Sequence, residues 1–236
     1  MSSCDLSIVI ACYNEAPHLR ESVMEIRAVM DQTDYNYELI FVDDCSQDDT
    51  RSIIEEITAT NPDDTCYIFH EENTGRGGAV SDGILHAKGK FVGFLDIDLE
   101  VHARYIPTML LSLERGSDIA TALRIYKLDA SKLLRHVLSH GYRKLSKFAL
   151  GGKCLDTETG YKFFRRDRIL PILSQVKDTG WFWDTEIMIR AERNELKISE
   201  IPCLFIRRKD KLSTVKLWSN SLDYLVKLYR FRKELS

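Results

Sequence analysis

The sequence predicts an α/β fold with a mostly parallel central sheet flanked by helices and a C-terminal amphipathic helix. Three observations predict it. Four short apolar runs of strand length alternate with segments whose apolar residues recur at helical spacing. Polar or glycine-rich residues follow these runs, at the strand ends where open α/β sheets bind ligands. The fourth run, Phe91–Leu95, passes straight into Asp96-Ile97-Asp98-Leu99-Glu100.

Leu6–Cys12 is the first buried strand, followed by Tyr13-Asn14-Glu15. Residues 16–32 read as a helix because Leu19, Val23, Ile26 and Met30 fall on one face. Residues 37–42 form the second strand, which ends in Asp43-Asp44. Ser46 and Asp49 have the spacing of a capping box for the next helix, with Ile53, Ile54 and Ile57 on its buried face. Thr65–Phe69 is the third strand. The turn at residues 73–78 carries Gly75, Gly77 and Gly78 and leads into a helix through about His86. Glycines placed there let backbone approach a phosphate or a neighbouring strand, although the G-K-[ST] ending of a P-loop is missing. Strand four follows at residues 91–96. This β-α-β-α-β-α-β order implies parallel strands with right-handed crossovers.

Further on, residues 106–115 read as a helix, with Pro107 in its first turn and Gly116 at its stop. A short strand at 118–122 comes next, then a basic amphipathic stretch at 131–148. Residues 156–162 read as a polar turn before Phe163-Phe164. A helix runs from Trp181 to about Asn194, and residues 197–205 are the last strand. Residues 215–235 mix apolar and basic side chains in the manner of an interfacial helix. The expected organisation is one domain over 1–213 and an appended amphipathic helix over 214–236.

A chain of 236 residues can bury the core of one large domain. Its net charge of −3 gives no reason to expect nucleic acid as a partner. The charge is uneven, however. Residues 121–153 carry eight Lys/Arg against one acid, and residues 207–236 carry nine against three. Such segments favour anionic lipid surfaces. The six cysteines form no C-x-x-C pair, which fits free thiols in a reducing cytoplasm better than a zinc site or disulfide framework. No apolar run is long enough for a membrane span, and Ile8–Cys12 is too short for a signal peptide. A cytoplasmic protein, peripheral to a membrane, is the expectation.

The chemistry centres on the acids after strand four. Side chains two apart in an extended chain point the same way, so Asp96, Asp98 and Glu100 would converge if the strand continued. Three oxygen-bearing groups suit a hard cation such as Mg²⁺ or Mn²⁺; the competing reading is a solvated acidic turn. Trp181-Phe182-Trp183-Asp184-Thr185-Glu186 reads either as a sugar platform with a general base, or as core packing with acids at a helix N-terminus. Arg207-Arg208-Lys209-Asp210-Lys211 is a loop rich in anion-binding groups.

In their order and spacing these segments resemble the family 2 glycosyltransferases with the GT-A (Rossmann-like) fold, over about residues 5–215. Within that family the chain is most similar to the dolichol-phosphate mannose synthases and the bacterial polyprenyl-phosphate glucosyltransferases. The segments that carry the resemblance are Tyr13-Asn14-Glu15, Val42-Asp43-Asp44-x-Ser46, Asn73-x-Gly75-x-Gly77-x-Ala79 with Gly83, Ala87 and Gly89, Asp96-x-Asp98-x-Glu100, Gly160-Tyr161-Lys162 and residues 181–186. The resemblance implies that Tyr13, Glu15 and Asp44 line the pocket for base and ribose, with Arg76 nearby. It implies that Asp96 faces ribose and metal, and that Asp98 ligates a metal bridging the diphosphate. Glu100 stands where such enzymes often carry Gln, another oxygen ligand. Arg124 matches an arginine near the donor and acceptor phosphates, and Arg207, Arg208 and Lys211 match a basic loop over the diphosphate.

The implied reaction moves a hexose from a nucleotide-diphosphate sugar, of GDP-mannose or UDP-glucose type, with inversion at the anomeric carbon. A metal and Arg/Lys side chains would stabilise charge on the leaving group. A polyprenyl phosphate acceptor is already anionic and needs only cationic positioning. A hydroxyl of a glycan or glycolipid would need a base, for which Asp184 or Glu186 qualifies by residue type. Many relatives carry C-terminal membrane helices; this sequence resembles a form that docks on a membrane or on a membrane partner subunit. A non-catalytic nucleotide-sugar-binding protein is the remaining alternative, and the intact acid set argues against it.

Overall fold

The computed structural model describes residues 4–126, 154–207 and 217–235. One seven-stranded sheet has the order β3-β2-β1-β4-β6-β5-β7. Its strands are β1 (Leu6–Cys12), β2 (Tyr37–Asp43), β3 (Thr65–Phe69), β4 (Phe91–Leu95), β5 (Ile119–Ile125), β6 (Tyr161–Arg165) and β7 (Ile198–Leu204). The first four are parallel, as their alternation with helices predicts. Among the described strands β6 alone is reversed, pairing antiparallel with both β4 and β5.

The helices are α1 (Leu19–Met30), α2 (Thr50–Thr60), α3 (Arg76–His86), α4 (Ile106–Glu114), α5 (Arg166–Leu173), α6 (Trp183–Arg193) and α7 (Leu217–Leu235). β1 shows why the sheet is covered on both faces. Leu6, Ile8 and Ile10 pack into one core with Leu19 and Ile26 of α1, Ile54 of α2 and Leu110 of α4. Val9 points the other way, into a second core with Val80 of α3, Ile169 of α5 and Trp183 and Ile187 of α6. Alternation of side chains along a strand, with both faces buried, gives the nearly continuous apolar runs of the sequence.

Two local expectations change, and one helix is added that the sequence reading left out. Ser46 and Asp49 form no capping box: the Ser46 hydroxyl accepts the Asn14 N–H at 2.9 Å, and the Thr50 N–H goes to Asp48 at 3.0 Å. The turn expected at 156–162 ends earlier, because Tyr161 and Lys162 already belong to β6. Tyr161, Phe163 and Phe164 are buried there, and the lysine among them hid the strand pattern. Finally, α5 follows β6 directly and contains Pro171, a residue that argues against a helix interior.

The carboxyl half of α7 packs against α6. Leu228 and Phe231 are buried with Phe182 and Ile189. Glu234 pairs with Arg190 at 2.7 Å, and Lys227 pairs with Asp178 at 2.7 Å. The opposite side of the helix leaves Val226 and Tyr229 exposed. Among the described residues, no helix is long and apolar enough to cross a membrane. All six cysteines are free, with Cys12, Cys154 and Cys203 buried and the other three half-buried. The basic stretch at 131–148 lies outside the described residues.

Candidate active site

The carboxyl ends of β1, β2 and β4 bring their polar residues to one end of the sheet. Tyr13 is 48% exposed just past β1. Asn14 adopts φ 57°, a left-handed conformation that asparagine tolerates, and its side-chain oxygen accepts the Gln47 N–H at 2.7 Å. Glu15 donates its N–H to Thr50 Oγ1 at 2.9 Å, and its carbonyl accepts the Leu19 N–H as α1 begins. Asp44 is buried. Its Oδ1 accepts from the Thr74 N–H, the Thr74 hydroxyl and His70 Nδ1, and its Oδ2 accepts the Gly75 N–H at 2.9 Å. Gly75 has φ +94°, which glycine alone adopts without strain, so Asp44 fixes the entry to α3. The glycines of this turn serve close packing: a Cβ on Gly77 would lie 2.4 Å from the Trp183 Cβ.

The chain does not stay extended after β4. The Leu99 N–H bonds to the Asp96 carbonyl at 3.0 Å, closing a turn, and Leu99 takes φ 51°. Asp96, Asp98 and Glu100 nevertheless line one open cleft with Arg124, Thr159, Gly160, Tyr161 and Phe205. Asp96 is held from the side, its Oδ1 accepting from Arg76 Nε at 3.0 Å and Nη2 at 2.7 Å. The Asp96 side chain is 46% exposed, and the protein packed around its carboxyl raises it above its ordinary range; Arg76 opposes the rise, and Asp98 and Asp184 add to it. Because of the turn, no three Asp, Glu, His or Cys side chains gather into a ready metal cluster among the described residues. Asp98 and Glu100 still present hard oxygen donors to the cleft, a set that fits a divalent cation whose other ligands come from phosphates and water.

From the cleft inward runs a network of two cations and two anions, Arg76 and Lys162 with Asp96 and Asp184, buried except at Asp96. Arg76 Nη1 donates to Asp184 Oδ2 at 2.6 Å, and Lys162 Nζ donates to Asp184 Oδ1 at 2.6 Å and to the Thr159 carbonyl. Lys162 is fully buried and Asp184 nearly so. Burial pushes the Lys162 ammonium below its usual range, while Asp184 works against that shift. For Arg76 burial also opposes the charge, and the Asp184 and Asp96 carboxylates outweigh it. Gly160 makes room for the network: a Cβ there would fall 1.9 Å from Asp96 Oδ2 and 2.4 Å from Arg76 Nη2.

On the far wall, Arg124 is clamped by Asp156, with Nε to Oδ2 at 2.8 Å and Nη2 to Oδ1 at 2.7 Å. Tyr126 and Phe205 contact the guanidinium at 5.8 and 5.7 Å from their ring centres. Asp156 is fully buried, and Glu200 of β7 fixes its turn by accepting the Leu155 and Asp156 N–H groups at 2.8 and 3.0 Å. Arg207 sits at the rim, 4.0 Å from Glu100. Arg208 and Lys211 lie outside the described residues.

Glu186 does not line the cleft. It accepts the Lys177 and Asp178 N–H groups at 3.1 and 2.9 Å and pairs with Arg190 at 2.7 Å. The structure thus brings Asp96, Asp98, Glu100 and Arg124 together, puts Arg76 and Asp184 just behind them, and sets Glu186 apart. Sequence reasoning gave no role to Lys162, Asp156 or Glu200. A lysine inside an apolar strand was the available signal for the first, since a buried ammonium requires a counter-ion. The other two carry no signal without the fold.

The profile of glycosyl transferase family 2 matches residues 7–170. The chain is 29% identical over 219 residues to a dolichyl-phosphate beta-glucosyltransferase of Saccharomyces cerevisiae, covering 84% of this chain and 65% of that protein. It is 28% identical over 204 residues to glycosyltransferase AglD of Haloferax volcanii, covering 84% and 32%. The chain therefore spans about two thirds or less of these relatives' length. Among solved structures, glucosyl-3-phosphoglycerate synthase from Mycobacterium tuberculosis, crystallised with Mg²⁺ and uridine diphosphate, superposes with a TM-score of 0.71 at 18% identity, over 98% of this chain and 80% of that one. TarS 1-349 of S. aureus, in complex with UDP-GlcNAc, gives 0.64 at 16% identity, over 97% and 65%. These likenesses confirm the GT-A architecture.

Proposed function

Because the chain belongs to glycosyl transferase family 2, we propose that it moves a hexose from a nucleoside-diphosphate sugar to a polyprenyl or dolichyl phosphate, with inversion, as a peripheral protein at the cytoplasmic face of a membrane. The observation that carries the choice of acceptor is the state of the two acids suited to be a base. Asp184 is enclosed by Lys162 and Arg76, and Glu186 is committed to the 177–178 backbone and Arg190. A hydroxyl acceptor needs a base within reach of its proton. A phosphate acceptor does not. The dolichyl-phosphate beta-glucosyltransferase named above points the same way.

The roles follow from the geometry. Asp98 and Glu100, with Asp96 beside them, would hold Mg²⁺ or Mn²⁺, which needs only one or two protein carboxylates when substrate phosphates complete its shell. Such an ion supplies charge neutralisation on the departing diphosphate. Arg124, with its Nε and Nη2 edge held by Asp156, offers its remaining edge to a phosphate in the cleft. Tyr13, exposed past β1, offers a ring for the base, while Glu15 and Asp44 shape that pocket, Asp44 by fixing the 70–75 loop. Arg207 adds positive charge at the rim, and Arg208 and Lys211 extend that loop in sequence. An acceptor phosphate oxygen attacks the anomeric carbon as the bond to the diphosphate oxygen breaks, and no proton has to leave the acceptor.

The test is transfer from UDP-glucose and GDP-mannose, with Mn²⁺, to polyprenyl phosphate and to the matching polyprenol. Product with the phosphate and none with the alcohol is expected. Equal transfer to the alcohol, or to a glycan hydroxyl, overturns the proposal.

A further inference from the structure

Three consecutive aromatics precede Asp184, and the structure treats them differently. Phe182 and Trp183 are buried in the core, whereas Trp181 is 53% exposed. A tryptophan left this open forgoes much of the burial its ring offers. Yet the loop that carries it is pinned from three helices. Glu186 of α6 accepts the Lys177 and Asp178 N–H groups. Lys227 of α7 holds Asp178, whose Oδ1 accepts the Gly180 N–H at 2.8 Å. The Gly78 N–H of α3 bonds to the Thr179 carbonyl at 2.9 Å. The indole then lies with the Arg76 guanidinium 5.4 Å from its ring centre, and this is the arginine that grips Asp96 at the cleft.

From this arrangement we propose that Trp181 is the platform for the hexose ring of the donor, and that Glu186 is a positioning residue that fixes it there. The proposal rests on the reading that the donor is a nucleoside-diphosphate hexose. A pyranose has an apolar C–H face and a polar hydroxyl edge. The π-face of an indole attracts the slightly positive C–H groups. With Arg76 against one side of Trp181, the exposed remainder of the ring is left for the C–H face of a hexose. A pre-fixed ring loses little freedom on binding, which accounts for an exposed side chain on so well-tied a loop. It also gives Glu186 a purpose that needs no base chemistry.

The experiment compares binding of UDP-glucose with UDP, and GDP-mannose with GDP, all with Mn²⁺, by calorimetry on wild type, Trp181→Ala, Trp181→Phe and Glu186→Gln. Melting temperatures check that each variant folds. Trp181→Ala should weaken the nucleotide hexose about tenfold and leave the free diphosphate within about twofold. Trp181→Phe should restore most of the loss, and Glu186→Gln should give a smaller loss with the same sugar-only pattern. Equal weakening of both ligands, or of neither, overturns the proposal. Unchanged sugar binding with a raised KM for polyprenyl phosphate overturns it too, assigning the indole to the lipid instead. Wild type that binds none of the four overturns the donor reading itself, and this proposal with it.

Discussion

Arg124 lines the cleft and Arg76 lies just behind it, and the protein holds the two in opposite ways. Arg76 commits Nε, Nη1 and Nη2 to Asp96 and Asp184, and its guanidinium lies between Phe94 and Trp181. Arg124 gives only Nε and Nη2 to one acid, Asp156, and faces the cavity beside Phe205. The first is a cross-link between the end of β4 and the start of α6. In the function we propose, the second is an anion seat braced from behind. On that reading the same residue type serves cohesion on one wall and recognition on the other, and what decides is how many carboxylates it is bonded to.

That contrast makes measurable claims. Asp184→Asn removes the counter-charge of a fully buried lysine and of Arg76, so unfolding in urea should show a loss of about 3–5 kcal/mol. A melting curve matching wild type would mean that the Arg76 wall is not held by this network. Asp98→Ala should lower turnover by about 100-fold, near 2.7 kcal/mol, with the melting temperature kept. Near-normal activity with saturating Mn²⁺ would remove Asp98 from the metal site. Arg124→Lys should raise the KM for the acceptor phosphate about tenfold, because an ammonium cannot be clamped by Asp156 and still offer a planar edge. Arg76→Lys should instead cost stability, and the reverse outcome for the pair would exchange their roles.

A slower signature lies in alkali. Cys203, the register partner of Arg124, is pushed up to about 12 by burial. A thiol whose folded pKa is raised contributes stability that is complete below its unfolded value of about 9 and declines as the pH climbs from 9 toward 12. Urea midpoints should therefore stay level to about pH 9 and then fall. The decline should lessen in Cys203→Ala; an unchanged slope would place its origin elsewhere.

Much of this was legible in the chain itself. β1, β2 and β4 announce themselves because both their faces are buried, which forces continuous apolar runs. The acids after β4 could be assigned to the ligand end of the sheet for the same reason. β6 was not legible, since Lys162 breaks its apolar pattern and its partner Asp184 lies 22 residues away. Nor was the turn after Asp96, which depends on Leu99 taking a left-handed conformation that its residue type disfavours. Residue type named Asp44, Asp184 and Glu186 as acids near the ligand end. Only the hydrogen bonds reveal that all three are already engaged by protein groups: the donors to Asp44 and Asp184 come from elements remote in sequence, and those to Glu186 from the loop before its helix and from the next turn.

The ion network beneath the cleft has a bearing on how the chain comes together. Arg76 and Asp96 belong to the amino-terminal half, and Lys162 and Asp184 to the segment that follows. Each half brings one cation and one anion already within reach of each other. Arg76 and Asp184 then join the two pairs across the packing of α6 against β4, so the junction sets one charge-neutral pair against another instead of a bare ion against the core.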